Sequence, residues 1–536
     1  MSPNIIPTAI KETATVKIII LSIISTFDNT RKYNFAPINY RRSKDYKLFK
    51  LKVKIKPRMK NMINKTLLLF MIVIPSFIFA GTTAMGHAPH LDGSIENLSI
   101  FWIVPFVGIL FSIAIFPLVA PHFWHHYFGK ISLFWALSLI IPFFLKEGYE
   151  ITVYELLHVG LLEYVPFIIL LLALFTISGG VQLTGSLVGS PIVNTSIIFI
   201  GTVLASWMGT TGAAMLLIRP LIRANANRKQ KVHVIVFFIF LVANIGGSLT
   251  PLGDPPLFLG FLKGIDFFWT TTAMFLPMLF MVVSLLLIFY FMDSYYYKKE
   301  QDNIEKKDVG AYKFGLEGSF NLLLLLGVIG GVLVSGFWRP QISFEVYHIH
   351  LELQNLFRDI LLLSLTYTSW VMTPKSIRDA NEYTWFPILE VAKLFAGIFV
   401  TIIPAIAILK AGTKGALALI VSSVSNNGEP INIMYFWATG ILSSFLDNAP
   451  TYLVFFNTAG GNPVTLMGDM SSTLLAISAG AVFMGANTYI GNAPNFMVKS
   501  ISESSGIVMP SFFGFLIKWS IPILFPLFII VSVIFF

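Results

Sequence analysis

Two carboxylic acids lie in strongly apolar parts of the sequence, where an acidic side chain needs a specific partner. Asp254 falls in the stretch NIGGSLTPLGDPPLFLG (244–260), and Asp447 falls in SSFLDNAPTY (443–452). A charged side chain at the centre of a bilayer costs at least about 2.5–3.5 kcal/mol on insertion scales. Each acid is therefore expected to hold a cation, carry a proton or pair with another group.

The polar groups near the two acids decide which of these chemistries is possible. Unwound backbone carbonyls, asparagine amides and threonine hydroxyls suit a hard cation such as sodium. A buried carboxylate can also carry a proton, because burial disfavours its charged form. The N-terminal ends of broken helices favour anions, so the residues alone leave cation and anion binding open.

Both acids also have a purely structural explanation. An aspartate in a turn rich in glycine and proline is commonly a helix cap that accepts backbone N–H groups. Asn448, Asn492 and Asn495 can likewise hydrogen-bond unwound backbone, which is compatible with a role in a binding site. We favour ion binding for Asp254 and Asp447, because their depth makes a simple cap costly.

The backbone of two stretches is predicted to be unwound. No continuous helix survives the glycines and prolines of 244–260, and GANTYIGNAPNFM (485–497) has the same character. TPLGDPPLF (250–258) and TYIGNAPNF (488–496) share four of nine residues, including Gly-x-x-Pro. Unwound backbone at membrane depth must be buried in protein or line a wet cavity, and paired broken helices mark transporter binding sites.

This alignment of the two halves pairs the candidate residues. Asn492 stands opposite Asp254, and Thr210 in a separate segment stands roughly opposite Asp447. The site is therefore predicted to have one carboxylate from each half, each in a different type of segment.

The composition indicates a polytopic helical membrane protein. Of 536 residues, 55% are hydrophobic and 12% are charged, and the mean hydropathy is +0.76. Several apolar runs exceed about 18 residues, the length needed to span a bilayer. The net charge of +10 does not suggest nucleic acid, because much of it lies near the start and in short loops. Cysteine is absent, which excludes disulfides and thiol catalysis.

The first 80 residues divide into two predicted segments. We interpret residues 1–58 as a basic extension that is either not translated or disordered. Residues 59–80 have the basic, apolar and small-residue order of a secretory signal, which places the true start at Met59 or Met62. The alternative is a cytoplasmic tail followed by an ordinary first membrane helix.

The rest of the sequence is predicted to contain two similar halves, each with three spans, a re-entrant hairpin, a broken helix and a final span. The first half has spans at 100–120, 131–145 and 164–181, the hairpin 192–221 with its tip at 210–213, the broken helix 232–261 and the span 267–292. The second half has spans at 316–336, 351–372 and 385–409, the hairpin 433–456 broken at 446–450, the broken helix 473–499 and the span 512–536.

Counting the crossings predicts inverted repeats. With residue 81 outside, the basic loop 219–231 and the charged linker 293–315 both fall in the cytoplasm, as the positive-inside rule requires. Each half has about five crossings, so the repeats 99–292 and 316–536 take opposite orientations. The predicted fold is all-α and polytopic, with two hairpin tips and two broken helices meeting near the midplane.

These motifs resemble the ion-transporter superfamily, which contains sodium/proton antiporters, citrate transporters, arsenite permeases and divalent-anion/sodium symporters. SWMGTTGAAMLLIRP (206–220) and GGSLTPLGDPP (246–256) carry the resemblance in the first half. SSFLDNAPTY and GANTYIGNAPNF (485–496) carry it in the second half. The resemblance covers residues 62–536 and is closest to a family named for citrate transport, whose members are often described as sodium:proton antiporters.

The resemblance implies a scaffold domain and a mobile transport domain that work as an elevator, usually in a homodimer. It places sodium near the hairpin tips and the broken-helix loops. The residues to which this role carries over, together with the prolines of the shared motif, are Thr210, Thr211, Gly253, Asp254, Pro256, Asp447, Asn448, Thr488, Asn492 and Pro494. Asp254 and Asp447 are the predicted sodium ligands.

Two transport functions remain open at this point. Dicarboxylate symporters carry Ser-Asn-Thr at both hairpin tips and have no acid in their loops, whereas this chain has Thr-Thr-Gly, Asp-Asn-Ala and Asp254. Two acids would repel a trianion and suit the exchange of sodium for protons, so antiport is the leading prediction. Sodium- or proton-coupled transport of citrate or a related carboxylate is the alternative.

The remaining expectations concern catalysis and location. The motifs of intramembrane proteases do not occur in a helix-compatible context, so no enzymatic activity is expected. No cofactor is expected apart from sodium or a proton as the coupling ion. The lipid bilayer is the expected partner, and a multi-pass position in a bacterial inner membrane is the expected location.

Overall fold

The computed structural model of the protein describes residues 98–185, 187–300, 315–426 and 428–536. The predicted basic extension 1–58, the signal-like segment 59–80 and residues 301–314 of the predicted linker lie outside these ranges. The described part of the chain is mostly helical, with three small two-stranded sheets.

Eight helices and one strand make up the first half. The start of α4 shows how the local sequence favours a helix. Ser190 caps α4 by accepting from the backbone N–H of Val193, and Pro191 occupies the first turn. The elements are α1 (Val104–Val119), α2 (Pro121–Val159), α3 (Val165–Ser178), β1 (Gln182–Thr184), α4 (Pro191–Met208), α5 (Thr210–Ala224), α6 (Val232–Leu241), α7 (Pro255–Leu262) and α8 (Phe267–Glu300).

The second half contains the other helices and five short strands. The elements are β2 (Gly315–Glu317), α9 (Phe320–Phe337), β3 (Ser343–Val346), β4 (Ile349–Glu352), α10 (Leu353–Met372), α11 (Lys375–Ala380), α12 (Phe386–Thr401), α13 (Ile403–Lys410), α14 (Ala418–Ser423), β5 (Ser425–Asn426), β6 (Glu429–Pro430), α15 (Asn432–Phe445), α16 (Asn448–Thr458), α17 (Pro463–Met467), α18 (Ser471–Met484), α19 (Ala493–Ser504), α20 (Phe512–Phe515) and α21 (Ile521–Phe535).

The strands form antiparallel pairs that the all-α prediction did not include. β1 pairs with β2, with Leu183 opposite Leu316, and so joins the two halves. β3 pairs with β4 and β5 pairs with β6, each as a local hairpin. The strands are too short to show an alternating apolar pattern in the sequence.

Several helices differ in extent from the predicted segments. α2 begins at Pro121 and is kinked at Gly148, where φ is 82°, a value that glycine adopts without strain. A π-helical turn, Gly160–Tyr164, then joins α2 directly to α3. α8 continues to Glu300, eight residues into the predicted linker.

The first hairpin turns one residue earlier than predicted. Gly209, with a φ of 80°, separates α4 from α5, and residues 210–213 form the first turn of α5. α4 and α5 pack against one another as hairpin arms do. A positive φ at the turn requires glycine, which the sequence supplies at this position.

The described helices have the lengths and composition of a multi-pass membrane protein. Seven stretches are long and apolar enough to cross a membrane, or eight if α12 and α13, which bend by 42°, count as one span. α10 is not among them, because polar residues such as Arg358 and Asp359 lower its hydropathy. The inverted orientation of the halves and the elevator movement remain predictions.

The first arms of the two broken helices, α6 and α18, lie at the centre of the packing. Residues 233–241 of α6 are all buried, as expected for a helix that is apolar on every side. α6 packs against α4, α8 and α19, while α18 packs against α15 and α16. The outer helices α1, α8 and α9 instead expose large apolar side chains such as Phe111, Leu276 and Leu323.

A buried ionic cluster joins the open end of the first hairpin to α6 and α8. Asp293 of α8 lies 2.6 Å from Arg228 Nη1, and it also accepts from His233 Nε2 at 2.8 Å. Asn194 donates to Asp293 at 2.9 Å and exchanges hydrogen bonds with Asn225. The cluster fixes the bases of α4, α5 and α6 to α8 and thereby holds the first hairpin in place.

We expect Asp293→Ala to lower thermal stability strongly, because it removes the nearer carboxylate of the buried Arg228 guanidinium and leaves only Glu300, at 3.6 Å. Breaking a buried ion pair from one side costs about 3–5 kcal/mol. The measurement is the thermal unfolding midpoint of the purified protein in detergent.

Asp379→Ala is the matched control, since the ion pair of Asp379 with Lys375 is exposed, at 62% and 89% of the two side chains. An exposed pair contributes about 0–1 kcal/mol. Equal midpoint shifts in the two variants would contradict a structural role for the buried cluster.

Candidate functional site

In each of the two hairpins and the two broken helices, the second helix starts at the candidate site. Thr210 is the first residue of α5 and Asn448 is the first residue of α16, each directly after a hairpin turn. Asp254 and Asn492 precede α7 and α19 as N-caps, and both have extended backbone conformations. Proline in the first turn of α7 and α19 favours a helix start there.

The side chain of Asp254 connects these four helix starts. It is buried and accepts hydrogen bonds from all three of the other residues. Thr210 Oγ1 and Asn492 Nδ2 donate to Oδ1 at 3.2 and 2.9 Å, and Asn448 Nδ2 donates to Oδ2 at 2.5 Å. The carboxylate is therefore held by two residues of the second half and one of its own half.

The hydrogen-bond donors around Asp254 can stabilise its charged form without a basic side chain. No ion pair within the described residues includes Asp254. Instead it accepts from neutral amide and hydroxyl groups and lies at helix N-termini, which carry partial positive charge. Such a carboxylate keeps the capacity to bind a proton or a cation, because no Lys or Arg neutralises it.

Two glycines in each broken helix allow the unwound backbone to fold tightly on itself. A Cβ at Gly253 would collide with the carbonyl oxygen of Gly247, and a Cβ at Gly491 would lie 2.6 Å from the carbonyl oxygen of Gly485. Only glycine fits such contacts between two backbone segments. Gly253, a predicted site residue, thus shapes the loop that carries Asp254.

A serine and a threonine fix each broken helix to its neighbouring hairpin in the same way in both halves. Thr250 Oγ1 donates to the carbonyl oxygen of Ser206, and Thr488 Oγ1 donates to that of Ser444 at 2.5 Å. Each threonine oxygen also accepts a backbone N–H from its own loop, such as that of Gly491. The predicted site residue Thr488 therefore positions the loop and is not among the described residues that hydrogen-bond Asp254.

Asparagines connect the unwound segment of one half to that of the other. Asn492 donates to the carbonyl oxygen of Ala243 at 3.1 Å in addition to Asp254. Asn244 donates to Asn495 Oδ1 at 2.7 Å, and Asn495 donates to the carbonyls of its own loop, including Thr488 O at 2.8 Å. The expected backbone contacts are present for Asn492 and Asn495, whereas the Asn448 side chain donates to Asp254 instead. The contacts of Asn492 and Asn244 join the two halves.

Asp447 is placed differently from Asp254. It is half-buried, and its Oδ1 accepts the backbone N–H of Ala449 at 3.1 Å as the N-cap of α16. Asp254 makes no such cap hydrogen bond. The structural explanation of an aspartate as a helix cap thus applies to the side chain of Asp447 and not to that of Asp254.

The other predicted residues occupy supporting positions. Thr211 lies partly buried in the first turn of α5, outside the set that hydrogen-bonds Asp254. Pro256 and Pro494 are buried in the first turns of α7 and α19 and help to fix their starts.

The pairing of the hairpin tips differs by one residue from the sequence alignment. Thr210 and Asn448 both begin a helix and both donate to Asp254, so they are counterparts, whereas Thr210 was aligned roughly with Asp447. Ser206 and Ser444 support this pairing, since each precedes its counterpart by four residues and accepts from a loop threonine. That shared spacing was present in the sequence as Ser-x-x-x-Thr and Ser-x-x-x-Asn.

The chemistry available at the site is that of oxygen and amide groups. The described residues contain no cluster of three or more His, Cys, Asp or Glu side chains that could hold a metal ion. Asn448 Oδ1 and Asn244 Oδ1 are buried and accept no hydrogen bond from the part of the chain that the structure describes. A carboxylate with uncommitted amide oxygens nearby can take part in binding a weakly held hard cation but not a tightly bound transition metal.

Comparison with known proteins identifies a family relationship. The family model described as "Putative citrate transport" matches residues 95–536. No match is found among curated proteins. The family match covers the hairpins, the broken helices and every residue that contacts Asp254.

We expect Gly253→Ala to destabilise the site loop, because the added methyl group meets the backbone of Gly247. Overpacking of this kind costs about 1–3 kcal/mol. The thermal unfolding midpoint in detergent measures the effect.

Gly330→Ala in α9 is the control, since a Cβ at Gly330 meets nothing within 4 Å. In a helix interior alanine is favoured over glycine by about 1 kcal/mol. A Gly253→Ala protein as stable as the Gly330→Ala protein would show that the loop does not need the close glycine contact.

Proposed function

The chain belongs to the citrate transport family and is a membrane transporter, and from this we propose that it exchanges sodium ions for protons at Asp254. One observation carries the proposal: a buried carboxylate, 1% exposed, is held by neutral donors where four helix N-termini meet. A structural acid at such depth would be expected to have a basic partner.

The proposed exchange uses two forms of the same carboxylate. In one form Asp254 carries a proton and is neutral. In the other form it is charged and takes part in binding a sodium ion, together with amide and hydroxyl oxygens. Because one carboxylate cannot hold the proton and the cation at once, binding of either favours release of the other.

The asparagines around Asp254 are suited to both forms. Asn448 and Asn492 direct their Nδ2 groups to the carboxylate, which stabilises it when it is charged and free of a cation. An amide turned by 180° presents Oδ1 instead, and this oxygen is a ligand for a hard cation. We assign these two residues to cation binding on this basis.

Asp447 has a secondary role in this proposal. It lies next to Asn448 and is half-buried, so its charge attracts a cation toward the hairpin tip. Since its side chain already caps α16, we assign it to attraction and positioning rather than to proton exchange.

Sodium- or proton-coupled transport of citrate or a related carboxylate is the second candidate. The family description favours it, and helix N-termini bind anions. Against it, the residues that contact Asp254 include no Lys or Arg to balance a carboxylate substrate. We therefore place cation exchange first. The homodimer, the elevator movement and the bacterial inner membrane remain predictions from the resemblance.

We expect purified protein in liposomes to move protons when sodium is added without citrate. Internal pH is recorded at an imposed pH gradient as sodium is added, with and without citrate. Asp254→Asn is expected to reduce sodium-driven proton movement to the level of protein-free liposomes, because an amide cannot carry the proton. Asp447→Asn is expected to reduce it only in part.

Asp469→Asn is the matched control, because Asp469 is exposed in the loop before α18. It should leave the exchange unchanged. If internal pH stays constant until citrate is supplied, carboxylate transport replaces antiport as the function. Wild-type exchange in the Asp254→Asn protein would remove Asp254 from the proposal.

A further inference from the structure

Another buried carboxylate lies outside both the Asp254 site and the Asp293 cluster. Glu163 belongs to the π-helical turn between α2 and α3, and it is 4% exposed. Its Oε1 lies 2.5 Å from Lys263 Nζ, while its Oε2 is buried and accepts no hydrogen bond among the described residues. Neither residue has a part in the exchange proposed above.

Lys263 stands at the far end of the helix that carries the site. Asp254 immediately precedes α7, and Lys263 immediately follows it. With the eight residues of α7 between them, they are nine positions and roughly 14 Å apart, at a rise of 1.5 Å per residue. The ion pair with Glu163 therefore fixes the end of α7 opposite to Asp254.

Glu163 and α7 belong to different groups of helices. α7 packs mainly against α16 and α18, and Gly260 lies against the Tyr452 ring and hydroxyl. The π-helical turn packs against α12, where the hydroxyl of Tyr164 donates to the carbonyl oxygen of Ala392 at 2.9 Å. The ion pair thus joins the helices that form the site to helices outside it.

A second ion pair has the same arrangement at the end of another helix that begins at the site. Thr210, which contacts Asp254, begins α5, and Arg219 lies nine residues further along the same helix. Arg219 Nη2 lies 3.0 Å from Glu382, which follows α11 and is 70% exposed. Of these two pairs, Glu163–Lys263 is the more buried, with side-chain exposures of 6% and 24%.

The free energy of folding gives little reason for a buried ion pair at this position. A buried ion pair contributes little net stability, because desolvation offsets the attraction between the charges. The pair instead favours the one arrangement of helices in which both charges are satisfied. A π-helical turn within an α-helix is also frequent at functional positions.

We propose that the Glu163–Lys263 ion pair is a latch that holds α7 and Asp254 in the arrangement of this structure, and that it opens when the site moves between the two sides of the membrane. Glu163 and Lys263 are positioning residues that act on Asp254 through α7. The inference rests on the proposed transport function, although it does not depend on which cargo is moved.

The test crosslinks the pair in the natural cysteine-free background, which contains no competing thiols. Glu163→Cys and Lys263→Cys are combined, and a short bifunctional maleimide with a cleavable disulfide links them in liposomes. Transport is measured with sodium and with citrate, using whichever cargo the unmodified protein moves. We expect crosslinking to reduce transport to background and reduction of the linker to restore it.

Each single-cysteine variant treated with the same reagent is the control for chemical modification. Full transport by the crosslinked double variant would overturn the latch, because the pair would then stay closed throughout the cycle. Since either cargo serves as the readout, failure of sodium/proton exchange in the wild type is a separate result.

If the double-cysteine protein is inactive before crosslinking, the transport kinetics of Glu163→Gln test the proposal instead. If the ion pair is a latch, this variant should change the maximal transport rate and leave the cargo concentration for half-maximal rate unchanged. Glu503→Gln, in the exposed pair with Lys499 on α19, is the matched control and should change neither. An unchanged rate in Glu163→Gln with only a loss of thermal stability would overturn the proposal.

Discussion

A carboxylate in an apolar interior has to be stabilised by the protein, and this requirement governs the centre of the molecule. No described residue gives Asp254 a basic partner, so its charged form depends on Thr210, Asn448, Asn492 and the N-termini of the helices that they begin. An unbroken membrane helix has no N-terminus in the apolar interior, so it cannot direct the partial positive charge of one at such an acid. The helices must therefore break where the acid lies, and all four of them do.

Breaking a helix at this depth exposes backbone groups that need new partners, and the structure supplies them from within each half. Paired glycines let each unwound segment cross closely over itself, while Thr250 and Thr488 bond the carbonyls of the adjacent hairpin arms. Asparagines then join one unwound segment to the other across the two halves. Neither half can complete the surroundings of Asp254 alone, which makes the site a product of both.

Buried ion pairs have two different relations to this centre. The Asp293 cluster lies among helices of the first half and fixes the open end of its hairpin, so its effect is on stability. The Glu163–Lys263 pair instead joins α7 to helices that otherwise contact it little. The first kind of pair is expected to persist as the protein works, and the second kind can distinguish one arrangement of the helices from another.

The sequence by itself determined the class of protein and the place of the site. Apolar runs indicated a multi-pass membrane protein, and glycine, proline and acid in one short stretch located the broken helices around Asp254 and Asn492. These features depend on local composition and on breakers that act wherever they occur. Tertiary structure alone decided that Asn448 rather than Asp447 contacts Asp254, that Asp447 caps α16, and that Asp293 and Glu163 are buried in ion pairs. Contacts between residues separated by 60 positions or more depend on how the helices pack. A one-residue shift at a hairpin tip changes which side chain faces the site.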